Sequence, residues 1–406
     1  MRTWDTKVIA KLRVASAFGV LLCCLGATAS SAQSFFATPI TDPATGADRG
    51  STSRIRAFDE PTGFTTFSSN GAEAIGPYIG SIGYSYPDLA LTGDQLDAVA
   101  VIGGPSAARG LELAAFGFGY RLALSNAGPT LHANADFGGF RLGTQELLPL
   151  KIDGNVVNVS FGGSQTWPLK SGGVLTGRLE FSTRSERTKI GGMEVVDEDL
   201  RFLRLALVRS QGQPYGFQSR FALSMTKGLR GFGASPVMNP MSSAPGVTSD
   251  FFRVALSAEA SVPLRGKFLL NMGAIGQWSD DSLPVSQRCG YGTNSYSRGF
   301  DQGYVNGDKC LGGRLELAYD LQRPAPADRK IRATQLFAGI DGGYVWDNAN
   351  ALVLGSRDQW SSASLGIRTL QENFLAEIAV TRILGLPAGV TRQDQTRLWF
   401  QTAIRF

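Results

Sequence analysis

A single histidine, His132, serves all 406 residues of the chain. A His-based metal cluster or a Ser-His-Asp triad would have to be built on it alone, and no G-x-S-x-G nucleophile lies in a strand-to-helix context. No phosphate-cradling P-loop is present, so nothing in the sequence asks for a nucleotide or other cofactor, and an enzyme is not expected. Charge is sparse at 18%, and the net excess of +5 is small and scattered, which argues against a nucleic-acid surface. Long apolar runs are lacking too. The run from Val14 to Gly26 is shorter than the ~20 residues a membrane-crossing helix needs, and no later segment resembles such a helix.

That run reads instead as the core of a secretory signal over residues 1–32. Arg2, Lys7, Lys11 and Arg13 form its basic end, and Ala27-Thr28-Ala29 and Ser30-Ser31-Ala32 are both small-residue cleavage sites. Leu22 precedes Cys23 where a lipoprotein signal requires a small residue, so lipidation there is not expected. Of the four cysteines, Cys23 and Cys24 lie in this signal, which leaves Cys289 and Cys310. An exported chain meets an oxidising compartment, where two such thiols can pair.

Glycine is abundant, at 50 residues. After a polar, turn-rich leader over residues 33–61, segments of about ten residues alternate apolar and polar from Thr62 to Phe406. Leu315, Leu317, Tyr319 and Leu321 oppose Arg314, Glu316, Ala318 and Asp320; Phe252, Val254, Leu256 and Val262 oppose Arg253, Ser257, Glu259 and Ser261. The polar face repeatedly carries charges of both signs, as a wet lumen would. The connections also alternate in length, short near 87–94, 125–129, 211–214, 263–267 and 371–373, long at 188–198, 228–249, 280–311 and 384–394. Both features favour a transmembrane antiparallel β-barrel of about sixteen strands over a soluble sandwich, with an all-β domain over residues 62–406. An even count puts both ends of the wall on the periplasmic side. The last predicted strand, 396–406, carries Leu398, Phe400, Ile404 and Phe406 on one face, and a terminal aromatic there is a signal for insertion by barrel-assembly machinery.

Ser297-Arg298-Gly299-Phe300-Asp301, on the loop before the twelfth predicted strand, then Gly307-Asp308 and Leu315-Glu316-Leu317-Ala318-Tyr319, resembles the lid-loop motif of the ShlB/FhaC/HecB (two-partner secretion, TpsB) translocators, whose loop folds back into the lumen. Gly339-Ile340-Asp341-Gly342-Gly343, on the thirteenth, is similar to the family's barrel-wall motif. Asn70-Gly71, Tyr84–Leu89 and Gly93-Asp94-Gln95-Leu96 are similar to its first two strands and the turn after them. The resemblance implies that Arg298 pairs with Asp341 and pins the loop inside the barrel, because a guanidinium–carboxylate pair gives geometry as well as energy. Gly299 would let the backbone turn tightly beside the wall. Cys289 and Cys310 flank the Arg298-Gly299-Phe300 triplet, and a disulfide between them would close the base of the loop.

The resemblance further implies an outer-membrane protein translocator of haemolysin or adhesin secretion, with a TpsA-like secreted partner as cargo and with lipid and lipopolysaccharide around the wall. One departure is evident: residues 33–61 are fewer than the roughly 50 that an independent domain needs, so a POTRA domain, which reads the cargo in that family, does not fit there. The alternative is a diffusion porin or surface barrel derived from the same architecture.

Overall fold

The computed structural model describes residues 61–406 except 70, 107–109, 126–127, 171, 213–216, 238, 293–295, 297, 302, 304, 322–332, 349–356, 372 and 387–394. The expected signal and most of the leader, together with Asn70 and Ser297 of the motifs, lie outside the described residues. The first eleven strands are β1 (Thr62–Ser68), β2 (Ile79–Pro87), β3 (Asp94–Gly103), β4 (Leu113–Ala123), β5 (Thr130–Arg141), β6 (Ile152–Pro168), β7 (Gly173–Ile190), β8 (Met193–Gly212), β9 (Gln218–Gly228), β10 (Phe252–Pro263) and β11 (Phe268–Trp278). Two short strands, β12 (Cys289–Tyr291) and β13 (Val305–Gly307), pair with each other inside the following loop. The chain ends with β14 (Lys309–Asp320), β15 (Ala333–Trp346), β16 (Arg357–Gln371), β17 (Phe374–Gly385) and β18 (Thr396–Arg405).

All the strands except β12 and β13 form one closed antiparallel barrel in which β1 pairs with β18. The barrel strands therefore number sixteen, as the alternation implies, and the predicted twelfth strand is β14. Side chains on β14 show why the sequence folds this way. Leu315 and Leu317 point outward, 49% and 44% exposed, while Glu316 and Ala318 between them are buried on the inner side. A period of two cannot serve a helix, and it gives one face to lipid and the other to the lumen. No described helix is long and apolar enough to cross a membrane.

The short connections β2–β3, β4–β5 and β10–β11 lie at one rim, and the long ones β9–β10 and β11–β14 at the other. The β2–β3 turn is held by Asp94, whose carboxylate accepts N–H bonds from Leu89, Ala90 and Leu91 and the hydroxyl of Tyr120. At the opposite rim, residues 188–198 are not the long loop expected from their polarity. β7 and β8 run on to meet at Gly191-Gly192, whose φ values of 57° and 85° make a tight two-residue hairpin. Arg187 reaches Asp197 at 3.2 Å across the two strands, so a charged stretch that resembled a loop is a paired ribbon standing above the wall. The long loop over residues 229–251 then runs beside this ribbon: Ser235 N donates to Asp199 O, Asp197 N to Met241 O, and Ser243 Oγ to Glu198.

Gly192→Val puts a β-branched side chain at a left-handed φ, at a cost of about 1–2 kcal/mol. The expected outcome is a lower urea midpoint for refolding in detergent micelles, with the folded, heat-modifiable band still formed.

Candidate functional site

The loop between β11 and β14 turns back into the barrel and carries Arg298 to its inner wall. The local framework is built from the base upward. Cys289 on β12 and Cys310 on β14 are joined in a disulfide, with Cα atoms 6.2 Å apart, so the β12–β13 hairpin is fastened to the barrel at the point where β14 begins. The loop beyond this bond holds the Arg298-Gly299-Phe300 triplet.

Arg298 is buried between two carboxylates on different strands. Nη1 donates to Glu316 Oε2 on β14 at 2.9 Å, and Nη2 donates to Glu377 Oε1 on β17 at 2.8 Å. The guanidinium lies over the rings of Phe337 and Trp399, 4.9 and 5.2 Å from their centroids. Thr381 Oγ1 donates to its carbonyl. Burial works against the charged guanidinium, but the carboxylates of Glu377, Glu316 and Asp341 outweigh it and hold the pKa above the ordinary arginine value. The motif partner therefore needs correcting. The salt bridges that pin Arg298 run to Glu316 and Glu377; Asp341 acts through its charge, and its Oδ1 accepts from Ser362 Oγ at 2.5 Å. The reason is geometric: Glu side chains on β14 and β17 are long enough to meet a guanidinium held between their strands.

Gly299 has no room for a side chain, since a Cβ there would lie 2.9 Å from Ser362 Cβ and 3.2 Å from Ile383. Phe300, fully buried, packs with Tyr296, Cys310, Val345, Trp360 and Ile383, its ring edge-on to Trp360. In the wall motif, Gly343 admits the indole of Trp360, and a Cβ at Gly339 would meet Leu315 O and Ser364 Oγ at 3.2 Å. The triplet and the wall motif are thus brought against the same patch of β15 and β16.

Sequence reasoning did not name Glu316 or Glu377 as partners of Arg298, nor Arg397 as the partner of Asp301. Glu316 lies in the stretch that carries the resemblance, but nothing in its alternating polar row marks it as the partner of Arg298. Glu377 was a lone acid within the apolar alternation of β17, a signal that could have singled it out. Asp301 accepts from Arg397 Nη1 on β18 at 2.7 Å and from the backbone of Glu73, while Arg397 Nη2 donates to Ser69 O next to β1. The lid tip therefore touches the seam where the barrel closes. At that seam Phe406 and Gly63 exchange two backbone hydrogen bonds, Phe400 packs on Phe67, and Ile404 faces outward opposite Thr65.

A second clasp holds the loop's base. Asp308 accepts from the backbone N–H of Leu283 and Asn348, both at 2.8 Å, and Arg288 lies 3.5 Å away while pairing with Asp347. Burial pushes the Asp308 carboxyl up to about 6, and hydrogen bonding with Asp347 pushes the same way, against the opposing pull of Arg288 and the two N–H donors.

A family model described as "Haemolysin secretion/activation protein ShlB/FhaC/HecB" matches residues 144–369. Among solved structures, CdiB from Escherichia coli is similar with a TM-score of 0.71 at 16% identity, over 85% of this chain and 63% of that one. CdiB from Acinetobacter baumannii is similar with a TM-score of 0.63 at 17% identity, over 85% and 60%. BamA from Haemophilus ducreyi lacking POTRA domains 1–3 gives 0.57 at 11% identity, over 86% and 70%. These likenesses show a shared fold, and the chain spans about three fifths of the two CdiB chains. No curated protein matches the sequence.

Breaking a buried ion pair by removing one partner costs about 3–5 kcal/mol. Arg298→Ala is therefore expected to raise open probability in planar bilayers, and Glu377→Gln and Glu316→Gln should do so more than Asp341→Asn; an unchanged single-channel record for Arg298→Ala would refute a locked lid. A free Asp308 would titrate near the usual aspartate value of about 3.9. The folded base of the loop raises that to about 6, so folding takes up a proton between those limits and the stability it contributes is lost as pH rises through them. The urea midpoint in detergent micelles should fall from pH 4 to pH 6 and then level off, and Asp308→Asn should flatten the profile.

Proposed function

Because the chain belongs to the ShlB/FhaC/HecB haemolysin secretion/activation family, we propose that it is an outer-membrane translocator through whose lumen an unfolded secreted partner leaves the cell. The observation that carries this reading is the lid: a loop buried against the inner wall, held by Arg298 between Glu316 and Glu377. Glu316 keeps Arg368 as a partner when Arg298 leaves, so such a lock can open when a polypeptide arrives.

In this reading residues 1–32 direct export, and residues 33–61 form a short periplasmic leader before the barrel. The short-turn rim faces the periplasm and the long-loop rim faces outward, where the cargo emerges. Phe400, Ile404 and Phe406 present the terminal strand to the barrel-assembly machinery, and the outward apolar rows contact outer-membrane lipid and lipopolysaccharide. Arg298, Gly299, Phe300, Asp341 and Gly343 act as conformational parts rather than reacting groups. The motion is release of the triplet from its pocket, with Gly299 passing Ser362 and Ile383.

Deleting the gene is expected to remove at least one secreted or surface protein from the secretome, and a plasmid copy should restore it. An unchanged secretome together with reduced solute uptake would instead establish a diffusion porin.

A further inference from the structure

The loop over residues 229–251 sends an aromatic side chain over the rim to the outside of the wall. Phe232 is 82% exposed and sits at φ 51°, a left-handed conformation that a bulky residue adopts only when its surroundings impose it. Gly231 and Gly233 flank it with φ of 109° and 81°, and Arg201 Nε donates to its carbonyl at 3.0 Å. Leu229 N donates to Arg201 O, and Ala234 N to Gly231 O, so the turn is bonded on both sides. The ring is edge-on to Phe181, which in turn packs on the outward-facing Phe161.

The height of this turn follows from the outward rows. On β8 that row reads Arg201, Leu203, Leu205, Leu207, Arg209; on β9 it reads Phe221, Leu223, Met225, Lys227. Arg201 and Lys227 are the first charges past the apolar belt at the long-loop rim. Long basic side chains and aromatic rings both favour that level of a bilayer, with the apolar part in the acyl edge and the charge among head groups. Lys227 and Arg230 meet Asp250 there, at 2.5 and 2.8 Å.

We propose that Phe232 is a membrane anchor: the turn over residues 230–233 inserts its ring into the head-group–acyl boundary of the leaflet at the long-loop rim. The occupant is the lipid surface, because the ring continues the apolar rows of Phe161, Phe181 and Leu203 without a break, and an interface already committed to lipid extends to it. The anchor has a purpose within the loop. Its far arm meets the lid, where Val285 N donates to Ser243 Oγ and Ala244, Val247 and Val285 form a cluster. One arm is thus fixed to the bilayer while the other supports the base from which the lid extends.

The inference rests on the outer-membrane reading above, and the test separates the two. p-Benzoylphenylalanine is placed at Phe232, at Leu205 in the belt and at Met193 on the hairpin tip, in full-length protein reconstituted into phosphatidylcholine vesicles. After irradiation, mass spectrometry is expected to find lipid adducts at positions 232 and 205 and little at 193. Adducts at 205 without adducts at 232, or adducts at 232 only with protein, would overturn the anchor alone. Absence of lipid adducts at both 205 and 232 would overturn the membrane reading and the anchor with it.

Discussion

The wall depends on one closure. A backbone N–H or C=O facing lipid has no water to turn to, so a sheet can enter a membrane only if its first and last strands find each other. Here that joint is short: Phe64–Ser68 on β1 pair with Gln401–Arg405 on β18, and Gly63 extends the ladder to Phe406. Once the ring is complete, each strand must give alternate side chains to lipid and to the lumen. Leu315 beside Glu316 is the sequence expression of that rule. A loop that enters the lumen then meets a polar wall, and it can be fastened there only by charge and hydrogen bonding.

That constraint shapes the lid. Burying a guanidinium is costly unless opposite charges and donors surround it. Glu316 and Glu377 come from strands that are not neighbours, two aromatic rings cover the guanidinium faces, and Thr381 supports its backbone. Arg368 donates to Glu316 as well, at 2.5 Å, so the carboxylate stays compensated when the loop is absent. The network is therefore suited to repeated release. Phe300 adds the apolar share, in a pocket closed by Trp360 and Ile383. The Asp301–Arg397 pair sets the same loop tip against β18, next to the weakest-paired joint of the ring, so the lid and the closure are neighbours in space as well as in function.

The barrel was legible in the sequence because strand periodicity, turn residues and chain-end polarity are local. The closed barrel has sixteen strands, the number the alternation implies. The β7–β8 ribbon was the exception, since Arg187, Glu194 and Asp197 gave it the polarity of a loop while Gly191-Gly192 made it a hairpin. β12 and β13 are too short to carry a period. The site was legible only in part. The triplet and the wall motif fall on the same patch, yet the direct partners of Arg298 lie 18 and 79 residues away along the chain. Which lumen carboxylate meets an incoming arginine is set by barrel register and side-chain length, and neither is written in a spacing.

The bond between Cys289 and Cys310 sets the leash on which the lid travels. It encloses the Arg298 segment in a covalent ring fixed to the first turn of β14. From Cys289 to Arg298 a fully extended chain reaches about 30 Å. The tip can swing out of its pocket over a distance of that order and no farther, and at every point of that swing it stays attached where β14 begins.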